Sequence, residues 1–176
     1  MNKILILFLL ATLTLSSQEW VQDKNKTTVL FKIKNFGIPV DGGFKNTDIK
    51  TNLNTKDLSN SYISATIMVN TIFTGIEARD KHLLETDYFD ALNHEKIILK
   101  SSKITKDVNG NITLFAGLSI KGIVKEMEIP LEVFEDNSTL NLNASMLLNR
   151  KDFNLGGRSF VLSNNVKIQV EYSATK

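Results

Sequence analysis

Ile112-Thr113-Leu114-Phe115-Ala116-Gly117-Leu118-Ser119-Ile120, followed after a short gap by Met127-Glu128-Ile129-Pro130-Leu131-Glu132-Val133, is the stretch whose reading decides the fold. Ile112, Leu114, Ala116, Leu118 and Ile120 recur at every second position, mostly separated by Thr113, Gly117 and Ser119. Successive side chains of an extended chain point to opposite faces, so a period of two predicts a strand with one wet face. Met127, Ile129, Leu131 and Val133 alternate in the same way with Glu126, Glu128, Pro130 and Glu132. The carboxylate row reads as a solvated face and the aliphatic row as core.

Working outward, the same arithmetic holds for Leu140, Leu142, Ala144, Met146 and Leu148, and for Val166, Ile168, Val170 and Tyr172. It holds also for Val29, Phe31 and Ile33, and for Ile63, Ala65, Ile67 and Val69. Turn-forming residues separate these runs: Asp41-Gly42-Gly43, Ser59-Asn60, Asp107-Val108-Asn109-Gly110, Asp136-Asn137-Ser138 and Ser163-Asn164-Asn165. Seven or eight amphipathic strands on short turns make an antiparallel meander, which leaves open edges unless the sheet closes on itself. The expectation is an all-β, antiparallel, eight-stranded lipocalin-like barrel. At about eight strands the interior is either filled by side chains or holds one small ligand, and the pattern leaves both open. Gly42-Gly43 and Gly156-Gly157 do not open a helix after a strand, so they read as bends or bulges rather than as a phosphate cradle.

Residues 1–17 carry one cation, Lys3, then an apolar run from Ile4 to Leu13, then Thr14, Ser16 and Ser17. That order predicts a secretory signal peptide, too short to span a bilayer, and hence export to the periplasm or beyond the cell. Residues 18–176 then form one domain, with no linker or repeat inside it. The chain has no cysteine, so neither a disulfide framework nor an acylated lipoprotein cysteine is available, and stability must come from a core. Without Lys3, 20 basic face 19 acidic side chains. That balance argues against nucleic acid and against anionic membrane surfaces as partners, and no segment supports stable membrane insertion. The Asn-x-Ser/Thr sequons at Asn25, Asn111, Asn137 and Asn143 fit the chance expectation of an Asn-rich chain.

Residues 70–102 break the strand pattern. Arg79, Asp80 and His82 fall within one turn of a helix-compatible stretch, with Leu83, Leu84, Tyr88 and Phe89 beside them, which predicts a short helical segment at about 75–92. Polar groups crowded next to aromatics suggest a lid or mouth. His82 and His94 lie twelve residues apart without paired-ligand spacing, so no metal site is expected. No Gly-x-Ser-x-Gly elbow occurs and cysteine nucleophiles are impossible, so neither an enzyme nor a cofactor is expected.

The block Asn70 to Ser102, above all Arg79-Asp80-x-His82-Leu83 with Tyr88-Phe89, resembles the signature of the YceI-like family. Phe31-Lys32-Ile33-Lys34-Asn35-Phe36-Gly37 with Val40 and Gly42-Gly43-Phe44 resembles the family's opening, and Gly117 to Lys125 its central strand and turn. Arg150-Lys151-Asp152-Phe153-Asn154-Leu155 and Leu162 to Ala174 resemble its end. The resemblance implies an elongated barrel under a helical segment, enclosing an apolar pore for an isoprenoid tail such as that of a quinone or polyprenyl lipid, and it implies a homodimer. The chain departs from the pattern at Asn35, Glu95, Leu99, Val124 and Asn154, where relatives often carry His, Pro, Phe, Thr and Gly.

On this basis the expected function is a carrier that binds an isoprenoid or other long-chain lipid in the pore. The alternative is an interaction or stress protein with a filled barrel, acting through dimerisation or docking to a membrane redox partner. Phe31, Phe36, Phe44, Phe89, Phe153 and Phe160 are the aromatic candidates for the pore wall, each with an ordinary core role as its alternative. Ile33, Ile67, Val69, Leu118, Ile120, Leu131, Met146 and Ile168 from the strands, with Leu83 from the helical segment, complete that wall. Phe115 and Phe134 have the wrong parity and face outward. Arg79, Asp80 and His82 either meet a lipid head group or pin the helix to the barrel rim.

Overall fold

The computed structural model describes residues 19–176, so the expected signal peptide lies outside the described residues. In chain order the strands are β1 (Val21–Gln22), β2 (Thr28–Asn35), β3 (Ile38–Phe44), β4 (Thr47–Thr51), β5 (Ile63–Met68) and β6 (Ile72–Phe73). After helix α1 (Glu77–Leu83) come β7 (Lys96–Lys106), β8 (Ile112–Ile120), β9 (Ile123–Glu135), β10 (Thr139–Asn149) and β11 (Leu162–Thr175). All pair antiparallel in one curled sheet of order β4-β5-β7-β8-β9-β10-β11-β2-β3-β6, with β1 on β11.

The all-β antiparallel class holds, while the strand count is eleven rather than eight. The difference has a local cause. β3 and β4 are halves of one bent stretch, as are β5 and β6, which flank a 3₁₀ turn at Val69–Thr71. The two stretches pair twice, β4 with β5 and β3 with β6, so both ends of the sheet path lie on them. Across the break, Lys45 N–H donates to the Thr71 carbonyl (3.1 Å) and Met68 N–H to the Asn46 carbonyl (3.0 Å). The Thr71 hydroxyl accepts from Asn46 N–H and donates to the Met68 carbonyl, replacing ladder bonds with side-chain bonds. The two-residue β1 is the remaining addition.

Period two is obeyed closely. Along β8 Ile112, Leu114, Ala116, Leu118 and Ile120 are buried and the residues between them half-buried, and the register of β10 on β11 runs unbroken from Thr139↔Thr175 to Asn149↔Asn165. Phe134 is exposed, and Phe115 lies on the outer face with the Lys103 ammonium 5.7 Å from its ring centre. Gly42 and Gly43 are a correction to the expected bulge. They sit in unbroken register in β3, opposite Phe31 and Leu30, and a Cβ on Gly42 would collide with the Phe31 ring and the Phe73 carbonyl. Glycine here clears the path of an aromatic ring across the strand.

The helical expectation is also shortened. Only seven residues are helical, and residues 84–94 continue as successive turns with Asp90 at φ 48°. So short a helix is not stable by itself; it is held by what it touches.

One barrel end is plugged. The Trp20 indole, 5 % exposed, donates from Nε1 to the Leu53 carbonyl (2.9 Å) and lies under the Lys176 ammonium, 4.3 Å from the ring centre. It packs with Leu53, Ile129, Leu140 and Ala116 in a closed cluster. At the other end are the β2–β3 turn, the α1 segment, the β8–β9 turn and the connection from β10 to β11.

Candidate functional site

Above the plug the barrel is hollow. The upper chamber, about 360 Å³, lies under the α1 segment, and a second of about 130 Å³ lies below it. Phe44, Ile97, Ile120, Leu148 and Ile168 line both, so the two are successive levels of one lumen. The lower chamber is walled by aliphatic groups such as Ile67, Leu99, Leu118, Leu131 and Met146, together with Phe44 and Tyr172. Burial of Tyr172 pushes its phenol up to about 12.

The upper wall joins aromatic and polar groups. Phe31 and Phe44 lie 6.1 Å apart, centre to centre, and Phe89 meets Phe44 edge-on at 6.1 Å. Phe89 is carried into the lumen by the turn after α1, where its N–H donates to the Leu83 carbonyl (3.1 Å). That turn is tied on its far side: Gly156 N–H donates to the Asp87 carbonyl (2.7 Å), and the Lys121 ammonium to the Thr86 (2.7 Å) and Asn154 (3.2 Å) carbonyls. Gly156, at φ +65°, admits the close approach of Tyr88 and Arg150, which a Cβ would obstruct.

Of the residues expected to line the pore, Phe31, Ile33, Phe44, Leu83, Phe89, Ile120, Phe153 and Ile168 face the upper chamber, and Ile67, Leu118, Leu131 and Met146 the lower. Three do not. Phe36 is 73 % exposed, because it is the first residue of the β2–β3 turn, with φ 53°, where the strand's alternation has ended. Val69 is buried in the core beside the lumen, within the 3₁₀ turn, without lining either chamber. Phe160 lies in the loop entering β11, outside any strand, and is fully exposed.

Among the polar candidates, Arg79 and His82 line the upper chamber and Asp80 does not. Arg79 donates from Nε to the Thr74 hydroxyl (2.7 Å) and from Nη2 to the Thr74 carbonyl (2.8 Å), while that hydroxyl donates to Asp80. This three-residue clasp pins α1 to the end of β6, the rim-pinning role. His82 Nδ1 lies 2.7 Å from the Glu85 carboxylate, with the ring edge-on to Tyr88 at 5.0 Å.

The principal polar group absent from the expected site is Arg150, 4 % exposed and lining the upper chamber. Its guanidinium donates to the carbonyls of Ser163 (3.0 Å), Leu155 (2.7 Å), Gly156 (2.9 Å) and Gly157 (3.2 Å). No ion pair involves it among the described residues. The signal for it was parity: Met146, Leu148 and Arg150 continue one inward row, as Phe31, Ile33 and Asn35 do on β2, where Asn35 also reaches the lumen. Among the described residues no Asp or Glu lines the upper chamber, and no cluster of three or more His, Asp or Glu is arranged to hold a metal.

A barrel with an apolar lumen under a clasped helical segment is what the resemblance to the YceI-like family implies. The family model for the YceI-like domain matches residues 20–174, and the chain belongs to that family. A UPF0312 protein of Staphylococcus epidermidis is 32 % identical over 111 residues, 62 % of this chain and 62 % of that protein, and one of Staphylococcus aureus is 30 % identical over the same share. The matched stretch thus spans less than two thirds of these relatives. Among solved structures, BcnA of Burkholderia cenocepacia superposes with a TM-score of 0.82 at 22 % identity, covering 88 % of this chain and 99 % of its own. A polyisoprenoid binding domain from Saccharophagus degradans superposes at 0.72 with 13 % identity, covering 89 % and 97 %. At these identities the likeness establishes the fold. Among the described residues no helix is long and apolar enough to cross a membrane.

Proposed function

We propose that the protein is an exported, non-enzymatic carrier that holds one amphiphile with a long apolar chain, of the isoprenoid quinone or polyprenyl phosphate type, inside the barrel. The observation that carries this reading is the two-level lumen, whose lower chamber is lined by aliphatic and aromatic side chains, of which Ile129, Leu142 and Tyr172 belong to the core cluster that holds Trp20. Its upper level alone falls within the roughly 300–1,000 Å³ of small-molecule sites. Leu99, smaller than the Phe common in relatives, adds room to the lower level. A chain entering from the top desolvates against both levels, at about 25 cal/mol per Å² of apolar surface removed from water. Arg79, Arg150 and His82 line the top without a carboxylate among the described lining residues, which suits an acidic or carbonyl head group.

One feature favours binding without chemistry. The Ser159 hydroxyl accepts the N–H of Leu162 (2.9 Å) and of Val161 (3.3 Å) in its own loop. A serine so engaged, without a basic partner, is not an activated nucleophile.

The test is native mass spectrometry of protein purified gently with its leader removed by the host, followed by titration with prenyl alcohols of increasing length. Co-purification of a single lipid, and affinity that rises with each added isoprene unit until the lumen is full, are expected. Bare protein whose melting temperature no prenyl alcohol, quinone or polyprenyl phosphate moves would replace the carrier by the interaction-protein reading.

A further inference from the structure

We propose that the rim made by the β2–β3 turn and the loop entering β11 is a docking surface for a phospholipid bilayer, on which the mouth rests reversibly while cargo passes. The proposal rests on the carrier reading. Phe160 is fully exposed, Phe36 is 73 % exposed and Ile38 is 67 % exposed. They belong to one patch, because Phe36 N–H donates to the Val161 carbonyl (2.8 Å) and Asn35 pairs with Leu162.

The same backbone lines the upper chamber from within, through Asn35, Ser159, Val161 and Leu162. Val161, exposed on the rim and lining the chamber, carries apolar surface from the outer rim into the lumen. A chain crossing from a bilayer along it never exposes its length to water, whereas a chain entering over any polar edge does.

Phe36 strengthens the case. With Gly37 (φ 77°) it forms a two-residue turn and takes φ 53°, a conformation that favours Asn, Asp or Gly and strains a bulky side chain. A phenylalanine kept in that position without packing against the fold is placed for contact outside it.

Charge agrees. In 34–38 and 156–165 the ionisable residues are Lys34 and Arg158, both exposed, with no acidic residue between them. The α1 segment and the turn after it carry Glu77, Glu85 and Asp87, all exposed, with Lys81 paired to Glu77. The edge of the mouth that meets the bilayer is thus aromatic and basic, with no carboxylate of its own. The balanced total charge argues against long-range attraction to anionic surfaces; here aromatic insertion makes the contact and two cations orient it.

The experiment compares the mature wild type with the double variant Phe36→Ser/Phe160→Ser, and adds Phe160→Trp as a reporter. Vesicles are phosphatidylcholine with about 30 % phosphatidylglycerol, loaded with geranylgeraniol. Trp20 is buried at the far end, so a blue shift on vesicle addition that appears only in Phe160→Trp reports the rim. Wild type is expected to co-sediment with vesicles. The double variant is expected to keep its melting temperature and its affinity for dispersed geranylgeraniol within about twofold, yet lose co-sedimentation and slow uptake about tenfold or more. Uptake and sedimentation at wild-type rates overturn the proposal. So does a wild-type dimer, seen by analytical ultracentrifugation, that dissociates in the variant while neither form binds vesicles; the rim then belongs to a second copy. Wild type that docks but takes up no geranylgeraniol fails the carrier reading and leaves the docking surface standing.

Discussion

The plugged end and the open end of this barrel are built from the same strands, yet one is solid and the other hollow. At the plug, Ala116 and Leu140 are wholly inaccessible and Leu53 and Ile129 nearly so, and the loop above β5 is drawn inward. There the Glu135 carboxylate accepts the Thr55 N–H (2.9 Å) and hydroxyl (2.7 Å). At the mouth the strands carry equally apolar residues, but they are spanned by a seven-residue helix and turns hung from Thr74, Lys121 and Gly156. A barrel of about eight strands stands at the boundary between filled and hollow, and end closure decides which. An indole fills the plug, whereas the clasped lid bridges the mouth without entering far into it.

The largest effect should come from Trp20→Ala, which removes the plug and its bond to Leu53. A loss of about 3–5 kcal/mol in urea unfolding is expected, and a loss under about 1 kcal/mol would show that the lower cluster closes without it. Arg150→Met comes next, since it leaves buried carbonyls of residues 155–163 without their donor; about 2–3 kcal/mol is expected, with Arg150→Lys restoring only part. Denaturation curves equal to wild type would mean that solvent or relaxation satisfies that loop. Volume separates the ends most directly. Ala116→Leu overpacks the solid end and should cost about 1–3 kcal/mol, whereas Ile168→Phe, at the junction of the two chambers, should change stability by less than about 1 kcal/mol. Ile168→Phe should also weaken prenyl alcohol binding about tenfold by calorimetry, a factor worth 1.4 kcal/mol. Equal costs at both sites would mean that the lumen is closed in solution.

How far these features were legible in the sequence follows from what each depends on. Side-chain parity is a local property of extended chain, so the inward rows of β2, β8, β10 and β11, and the outward Phe134, could be read directly. The same rows ran on to Asn35 and Arg150, and stopping them at the last apolar residue left both outside the expected site. Phe36 failed for the complementary reason, since parity ends where a turn begins. Whether the barrel is filled was not legible, because it depends on Trp20 and the α1 segment packing across chain separations that no local period encodes. Asn154, where relatives often carry Gly, sits at φ 53° and caps the 3₁₀ turn Arg150–Phe153, so it departs in residue type while keeping the backbone conformation.

The smallest expected effect tests the turns of the plugged end, and it is read in pH. Asp136 in the β9–β10 turn accepts the N–H groups of Ser138 (2.8 Å) and Thr139 (2.7 Å) and the Thr139 hydroxyl (2.8 Å), which lower its carboxyl from 3.8 to about 2. Asp57 and Asp107, in two other loops of that end, are lowered as well, chiefly by Ser59 and Asn111 side chains. A carboxyl whose folded pKa is depressed gives stability that is present above its unfolded value and is lost as pH falls through the folded one. Between about pH 4 and 2 the unfolded chain therefore binds more protons at Asp136 than the folded one, and stability falls with acidification. Asp136→Asn keeps an acceptor oxygen and removes the titration, so its melting temperature should fall less steeply than wild type over that window, with Asp57 and Asp107 contributing to the slope that remains. The lumen wall is almost wholly apolar, so prenyl alcohol binding should outlast the weakening of the plugged-end turns as acid is added. Loss of binding at higher pH than the first loss of melting temperature would place the acid-sensitive element at the mouth instead.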